Sequence, residues 1–349
     1  MFRHVRDLVR VQSALGHAVG IVCDSTTGGA QADAAFARLD PQCSLGIHRL
    51  PIGRMPGLGD ISGANAVTRI AKPLGLDIMH GHGAKGGVYA RLASARLKVP
   101  AVYTPHGGTL HYDWASPKGM AFLGAERLIL KRGAGLIFVC EFERDTFARK
   151  IGLGGLPNTV VNNGLWPEEF VAIEPDADAR DIVFLGELRT LKGVADLIQA
   201  LAQLPGVTAT LAGDGPDRAQ FEQQARELGI ADRAAFTGAM AARRAFAMGK
   251  LFVMPSHAES FPYVILEAAA ARLPMVAARV GGIPEIVPSD MLVRPRDPQA
   301  LTRAIRSRLD DLGGARAGAA TLAESVSQRF QAQAMGENVT DFYRKVRAG

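Results

Sequence analysis

The chain is poor in cysteine. Its 349 residues hold three, Cys23, Cys43 and Cys140, an odd number at no metal-ligand spacing. That pattern excludes a disulfide framework and a cysteine metal site, and leaves reduced, structural thiols in a cytoplasmic protein as the expectation. Long apolar runs are absent too. No stretch approaches the eighteen or so uninterrupted apolar residues of a membrane span, and the opening MFRHVRDLVRVQ lacks the apolar core of a signal peptide. Aromatic readers beside the basic residues are also missing, which argues against nucleic acid as a partner.

What is present describes an ordinary soluble globular protein, 48% apolar and 21% charged. The length exceeds one typical core, so two domains are expected. The net charge of +6 is unevenly spread. Residues 1–165 carry 19 Lys/Arg against 11 Asp/Glu, whereas residues 166–349 carry 21 against 23. A basic first half suits a phosphorylated substrate or an anionic membrane, or is simply a solvated face.

Both halves alternate strand-like and helix-like runs. In the first, the strands are AVGIVCD, LGIHRL, LDIMHGH, PAVYTPHG and GLIFVC; in the second, DIVFLG, VTATLAGDG, AAFTGA, KLFVMPS and LPMVAAR. Apolar strands separated by helices predict parallel, doubly wound α/β sheets covered on both faces. The predicted organisation is a Rossmann-like domain over 1–165, a polar linker over 166–180 and a second Rossmann-like domain over 181–328. The tail, about 329–346, is predicted to be a helix that packs back on the first domain. Ligands of such sheets bind beyond the carboxyl ends of the strands, so two facing domains are expected to form one cleft.

HGHGAKGG (His80 to Gly87) matches G-x-G-x-x-G between a strand and a helix, the setting of a dinucleotide fingerprint. That chemistry also needs an acidic residue about twenty positions on, for the ribose. No Asp or Glu lies between Gly86 and Tyr112. A dinucleotide-dependent oxidoreductase therefore stays only as a minor alternative, and the glycines read as turn and packing residues.

The second half is richer. In PSHAESFPYVILEAAAARLPMVAARVGGIPEIV, Glu259 closes a strand-to-helix loop and Glu267 follows on the helix. Pro262 suits the first helical turn, and the N–H groups around Ser260, Phe261 and Tyr263 suit an anion such as a phosphate. The plain alternative is an ordinary helix glutamate and a dipole partner. FLGELRTLKG ends a strand at Gly186 and sets Arg189 and Lys192 before the next helix, a pair of cations suited to a pyrophosphate. LAGDGPD adds a glycine turn that holds Asp214 between Gly213 and Gly215.

Taken in order and spacing, FLGELRTLKG, LAGDGPD, the paired glutamates and RVGGIPEIV resemble the retaining family-four glycosyltransferases with the GT-B fold. VYTPHGG is similar to that family's histidine-bearing strand end. FRHVRDLV, HGHGAKGGVYARLA and YTPHGGTLHY look most like members of bacterial exopolysaccharide assembly. The resemblance implies transfer of a sugar from a nucleotide-sugar donor to a glycan or lipid-linked glycan acceptor. It implies that Glu267 binds the ribose and Glu259 holds the donor sugar. It further implies that Arg189 and Lys192 neutralise the pyrophosphate, with Gly186, Gly213, Asp214, Ser260 and Phe261 on the donor side. His106 falls near the sugar, with His82 and Lys85 on the acceptor side. No metal and no cofactor are expected. Asp176-Ala-Asp178 spells D-x-D but sits in the predicted linker.

Two departures stand out. The family often carries Arg where this chain has Glu187, a function that Arg189 could take. The family also begins with a strand and a glycine-rich turn that this sequence lacks, and a longer reading frame is expected to supply them. A catalytically silent nucleotide-sugar-binding protein therefore remains open beside the transferase.

Overall fold

Each apolar run becomes a short parallel strand, and the runs Ala101–Thr104, Gly135–Phe138 and Ala209–Ala212 do not alternate because every residue in them is buried. The computed structural model describes residues 1–53, 57 and 59–348. Its strands are β1 (Ile21–Asp24), β2 (Ile47–Leu50), β3 (Met79–His82), β4 (Ala101–Thr104), β5 (Gly135–Phe138) and β6 (Asn158–Val160), followed by β7 (Arg180–Leu185), β8 (Ala209–Ala212), β9 (Ala234–Gly238), β10 (Gly249–Met254), β11 (Met275–Ala278) and β12 (Leu292–Val293). The chain divides into one unit of Met1–Asn163 with Ala332–Gly349 and a second of Gly164–Gln331.

The second unit is a six-stranded parallel sheet in the order β12-β11-β10-β7-β8-β9. The chain enters at β7, builds outward through β8 and β9, then returns to lay β10 on the other side of β7. The order reverses between β7 and β10, which makes their carboxyl ends the topological switch point. Ile182, Phe184, Leu197, Leu201, Leu211, Leu251 and Ile305 fill the core on one face. Segment 166–180, predicted as a linker, is tied into this unit: Ile173 N–H donates to Ala271 O at 3.0 Å and Asp176 N–H to Ala247 O at 2.8 Å. The Asp176 carboxylate pairs with Arg244.

The first unit departs from a single doubly wound sheet. β1 and β2 form a two-stranded parallel sheet of their own, and β3-β4-β5-β6 form a second parallel sheet. Among the described residues β1 bonds only to β2 and β3 only to β4, so each borders an edge. The tail helix runs over Ala332–Ala348. It starts three residues later than predicted because Phe330 O accepts from Leu165 N–H at 2.9 Å, which holds that residue out of the helix. Met335, Val339, Phe342 and Val346 pack on Leu8, Val102, Ile137 and Val161 of the first unit.

In HGHGAKGG the strand runs straight into helix Gly83–Leu97, without an intervening loop to wrap a pyrophosphate. A Cβ on Gly81 would lie 2.5 Å from Gly86 O and 2.7 Å from Gly87 Cα, closer than any real contact. These glycines serve the seat of the helix on β3.

Candidate functional site

The switch point of the second unit gathers residues from loops far apart in sequence. After β7 the chain makes a tight turn at Thr190–Lys192 and enters helix Val194–Ala202. Thr190 anchors that turn by donating to Asp217 Oδ2 from its N–H at 2.6 Å and its hydroxyl at 2.7 Å. After β10 the loop Pro255–Pro262 leads into helix Tyr263–Ala270. The two loops are laced together. His257 N–H donates to Leu191 O at 2.9 Å, and the His257 ring meets Asp196 Oδ2 at 2.8 Å.

At the centre Lys192 Nζ lies 2.7 Å from Glu259 Oε1, and Ser256 Oγ donates to the same oxygen at 2.8 Å. The Glu259 side chain is 10% exposed and that of Lys192 24%. A charge-assisted bond joined by a second donor fixes the carboxylate in one orientation while leaving the ammonium partly open. Strand ends close this side tightly. Gly186 N–H donates to Ala212 O at 3.1 Å, Gly213 N–H to Gly238 O at 2.9 Å, and Leu188 N–H to Asp214 O at 2.9 Å. Gly282 N–H donates to Ser260 O at 2.7 Å, which ties the loop after β11 to the loop after β10.

The structure thus brings Lys192, Glu259, Gly186, Gly213, Asp214 and Ser260 to the carboxyl edge of one sheet. Arg189 is half-exposed and faces Glu187 at 3.5 Å. Phe261 is buried and stacks edge-on against Phe330, with ring centroids 5.4 Å apart. Glu267 lies half-buried on helix Tyr263–Ala270. Pro262 is the N-cap of that helix, one position before the turn expected for it. Ser256, Asp196 and His257 carry no motif, and nothing in their spacing signals their part in this edge.

The first unit holds a separate polar cluster. His80 and His82 end β3, His106 follows β4, and His4 rises from helix Phe2–Ala14. His82 Nδ1 and His106 Nε2 are 3.0 Å apart, and the His80 and His82 ring centroids are 3.9 Å apart. His80 is held at both nitrogens, by Tyr343 OH at 2.5 Å and Thr104 Oγ1 at 2.8 Å. Burial lowers the pKa of His4 to about 4 and of His80 to about 3, and takes His82 and His106 well below the ordinary value. All four rings are therefore neutral near pH 7. Lys85 pairs with Asp60 Oδ1 at 2.5 Å.

Comparison with known proteins agrees with these two units. The family described as glycosyl transferases group 1 matches residues 179–311, and a glycosyl transferase 4-like domain matches residues 1–164. Glycogen synthase of Mycobacterium tuberculosis is 30% identical over 290 residues, spanning 78% of this chain and 70% of that protein. D-inositol 3-phosphate glycosyltransferase of Xylanimonas cellulosilytica is 30% identical over 287 residues, 73% of this chain and 68% of that protein. Among solved structures, Anabaena Alr3699/HepE in complex with UDP and glucose superposes with a TM-score of 0.78 at 23% identity, over 94% of this chain and 100% of that one. On these grounds the chain belongs to the glycosyltransferases and has the GT-B fold.

Proposed function

We propose that the chain transfers a sugar from a nucleotide-sugar donor to a glycan or polyprenyl-diphosphate-linked glycan acceptor, with retention of configuration, in cell-surface polysaccharide assembly. The observation that carries this reading is the Lys192–Glu259 pair, set at the switch point where open α/β sheets bind their ligands. In the reading, Glu267 accepts hydrogen bonds from the ribose hydroxyls, and Glu259 orients the donor sugar. Lys192 and Arg189 face the diphosphate, with Ser260, Phe261 and the first turn of helix Tyr263–Ala270 supplying N–H groups. Within the first unit, the reading assigns His106 to the sugar and His82 and Lys85 to the acceptor.

The chemistry follows from charge. The bond between the anomeric carbon and the phosphate oxygen breaks, and negative charge grows on the leaving diphosphate. Preorganised cations and a helix N-terminus stabilise that charge without a divalent ion. The acceptor oxygen bonds to the same face of the sugar, and its proton passes to the leaving phosphate.

Peripheral contact with an anionic membrane is part of the same reading. It is supported by the first unit's excess of basic residues and by helix Pro117–Ile129, which exposes Met120 (54%) and Leu128 (79%) near Lys118, Arg127, Lys131 and Arg132.

Isothermal titration with UDP and GDP tests the donor site. One nucleoside diphosphate should bind, Glu267→Ala should weaken it at least tenfold, and Glu259→Ala should lower turnover with little change in nucleotide affinity. Absence of binding to any nucleoside diphosphate would overturn the reading, whereas nucleotide binding without donor hydrolysis or sugar transfer would leave a silent binding protein.

A further inference from the structure

His4 holds an unsolved problem of hydrogen bonding. Its side chain is fully buried, and its Nδ1 lies 2.9 Å from Asn163 Oδ1. An amide oxygen has no proton to give, so Nδ1 carries the hydrogen and Nε2 carries the lone pair. That Nε2 is buried and has no hydrogen-bond partner. A buried acceptor without a partner is costly and calls for a ligand.

Two other imidazoles neighbour the ring. The His4 ring centroid is 4.8 Å from that of His106 and 5.4 Å from that of His82. One nitrogen from each of His4, His82 and His106 lies within 4.8 Å of the other two. We propose that these three histidines form a binding site for a borderline divalent transition ion, with Zn²⁺ as the type case.

The donor set decides the ion. Three neutral imidazoles and no carboxylate suit Zn²⁺, Co²⁺ or Ni²⁺ and do not suit Mg²⁺ or Ca²⁺, which take oxygen. A zinc–nitrogen bond of about 2.0–2.1 Å puts tetrahedral ligands about 3.4 Å apart. The His82–His106 pair at 3.0 Å is already near that spacing, and ring rotations close the remainder. The supports are in place as well. Asn163 orients His4 from behind, as the outer partners of metal-bound histidines do. His106 is held at a φ of +53°, a backbone conformation uncommon outside glycine, which aims its ring at His82. His80 is excluded as a ligand because both of its nitrogens are engaged. Three protein ligands leave a fourth position open.

One consequence rests on the proposed transfer reaction. An ion bound by His106 removes that ring from the sugar, so Zn²⁺ should inhibit turnover in an enzyme whose chemistry needs no metal.

The test is Co²⁺ titration of the full chain purified without a histidine tag. One equivalent should bind, with the visible absorption bands of a four- or five-coordinate site. His4→Gln should weaken binding at least tenfold while leaving the melting temperature of the metal-free protein near that of the parent, and His82→Asn should abolish the same bands. Zn²⁺ should inhibit donor hydrolysis in the parent, reversibly with a chelator, and should not inhibit His4→Gln. Absence of bands in a folded parent, or unchanged Co²⁺ affinity in both variants, overturns the site. Binding with no inhibition upholds the site and overturns the role given to His106.

Discussion

Gly213 shows how a single residue can be dictated by its surroundings. Its φ is +145°, and a Cβ built on it would fall 1.8 Å from Gly186 O. That obstacle is backbone and cannot rotate away. Gly213→Ala should therefore destabilise the second unit by about 3 kcal/mol, combining backbone strain with overpacking. Gly206 also has a positive φ, +78°, but open space around its Cβ position, so Gly206→Ala should cost only about 1 kcal/mol. Urea midpoints of the two variants measure the difference, and equal costs would contradict the close approach. The motif LAGDGPD was legible in the sequence as a glycine turn. That the turn abuts Gly186 was not, because the two glycines follow different strands.

At the scale of elements, the first unit rests on a buried ion pair. Arg91 on helix Gly83–Leu97 and Glu126 on helix Pro117–Ile129 are 1% and 3% exposed, with Nη2 and Oε1 2.6 Å apart. The Arg91 guanidinium also sits 4.3 Å from the Tyr103 ring centroid. Removing one partner strands the other charge, so Glu126→Ala should cost about 3–5 kcal/mol. Replacing both, as Arg91→Met with Glu126→Leu, should recover most of that loss, and calorimetry of the three variants decides it. Helix Pro117–Ile129 carries a second expectation on its outer side. If its exposed apolar residues meet lipid, Leu128→Asp should reduce sedimentation with anionic vesicles at low salt several-fold while leaving donor hydrolysis unchanged. A protein that stays wholly in the supernatant removes the membrane from the proposed function.

For the whole molecule, pH reports on the histidine cluster. An unfolded histidine takes up its proton near 6.5, whereas folded His4 resists protonation down to about 4. Below 6.5 the unfolded chain binds more protons than the folded one, so stability falls as pH falls through that window. Above that window the imidazoles are neutral in both states, and the buried Met1 ammonium, its pKa lowered from 8.0, carries the same trend on toward pH 8. The shifted carboxylates, such as Asp60 and Asp181, have pKa values lowered from 3.8, so they act at still lower pH. Urea unfolding between pH 4 and 7 should show stability declining as pH falls below 6.5, less steeply in His4→Gln. A flat profile from pH 4 to 7 would contradict burial of neutral rings.

The residue pattern alone determined two parallel α/β halves, because strands buried on both faces must read as unbroken apolar runs and the helices between them must cover them. It also determined which strand ends carry glycine, charge and histidine. It could not reveal β6 and β12, which at three and two residues are too short to leave a period. Nor could it show that β1 and β2 stand apart from the other four strands of their unit, since pairing is a choice of partner that no single strand encodes. Tertiary structure alone set Lys192 against Glu259 across 67 residues, and His4 beside His82 and His106. The reason is the same in both units. Parallel strands require long crossovers, so the residues that meet at their carboxyl ends come from distant segments, and only the folded sheet brings those ends together.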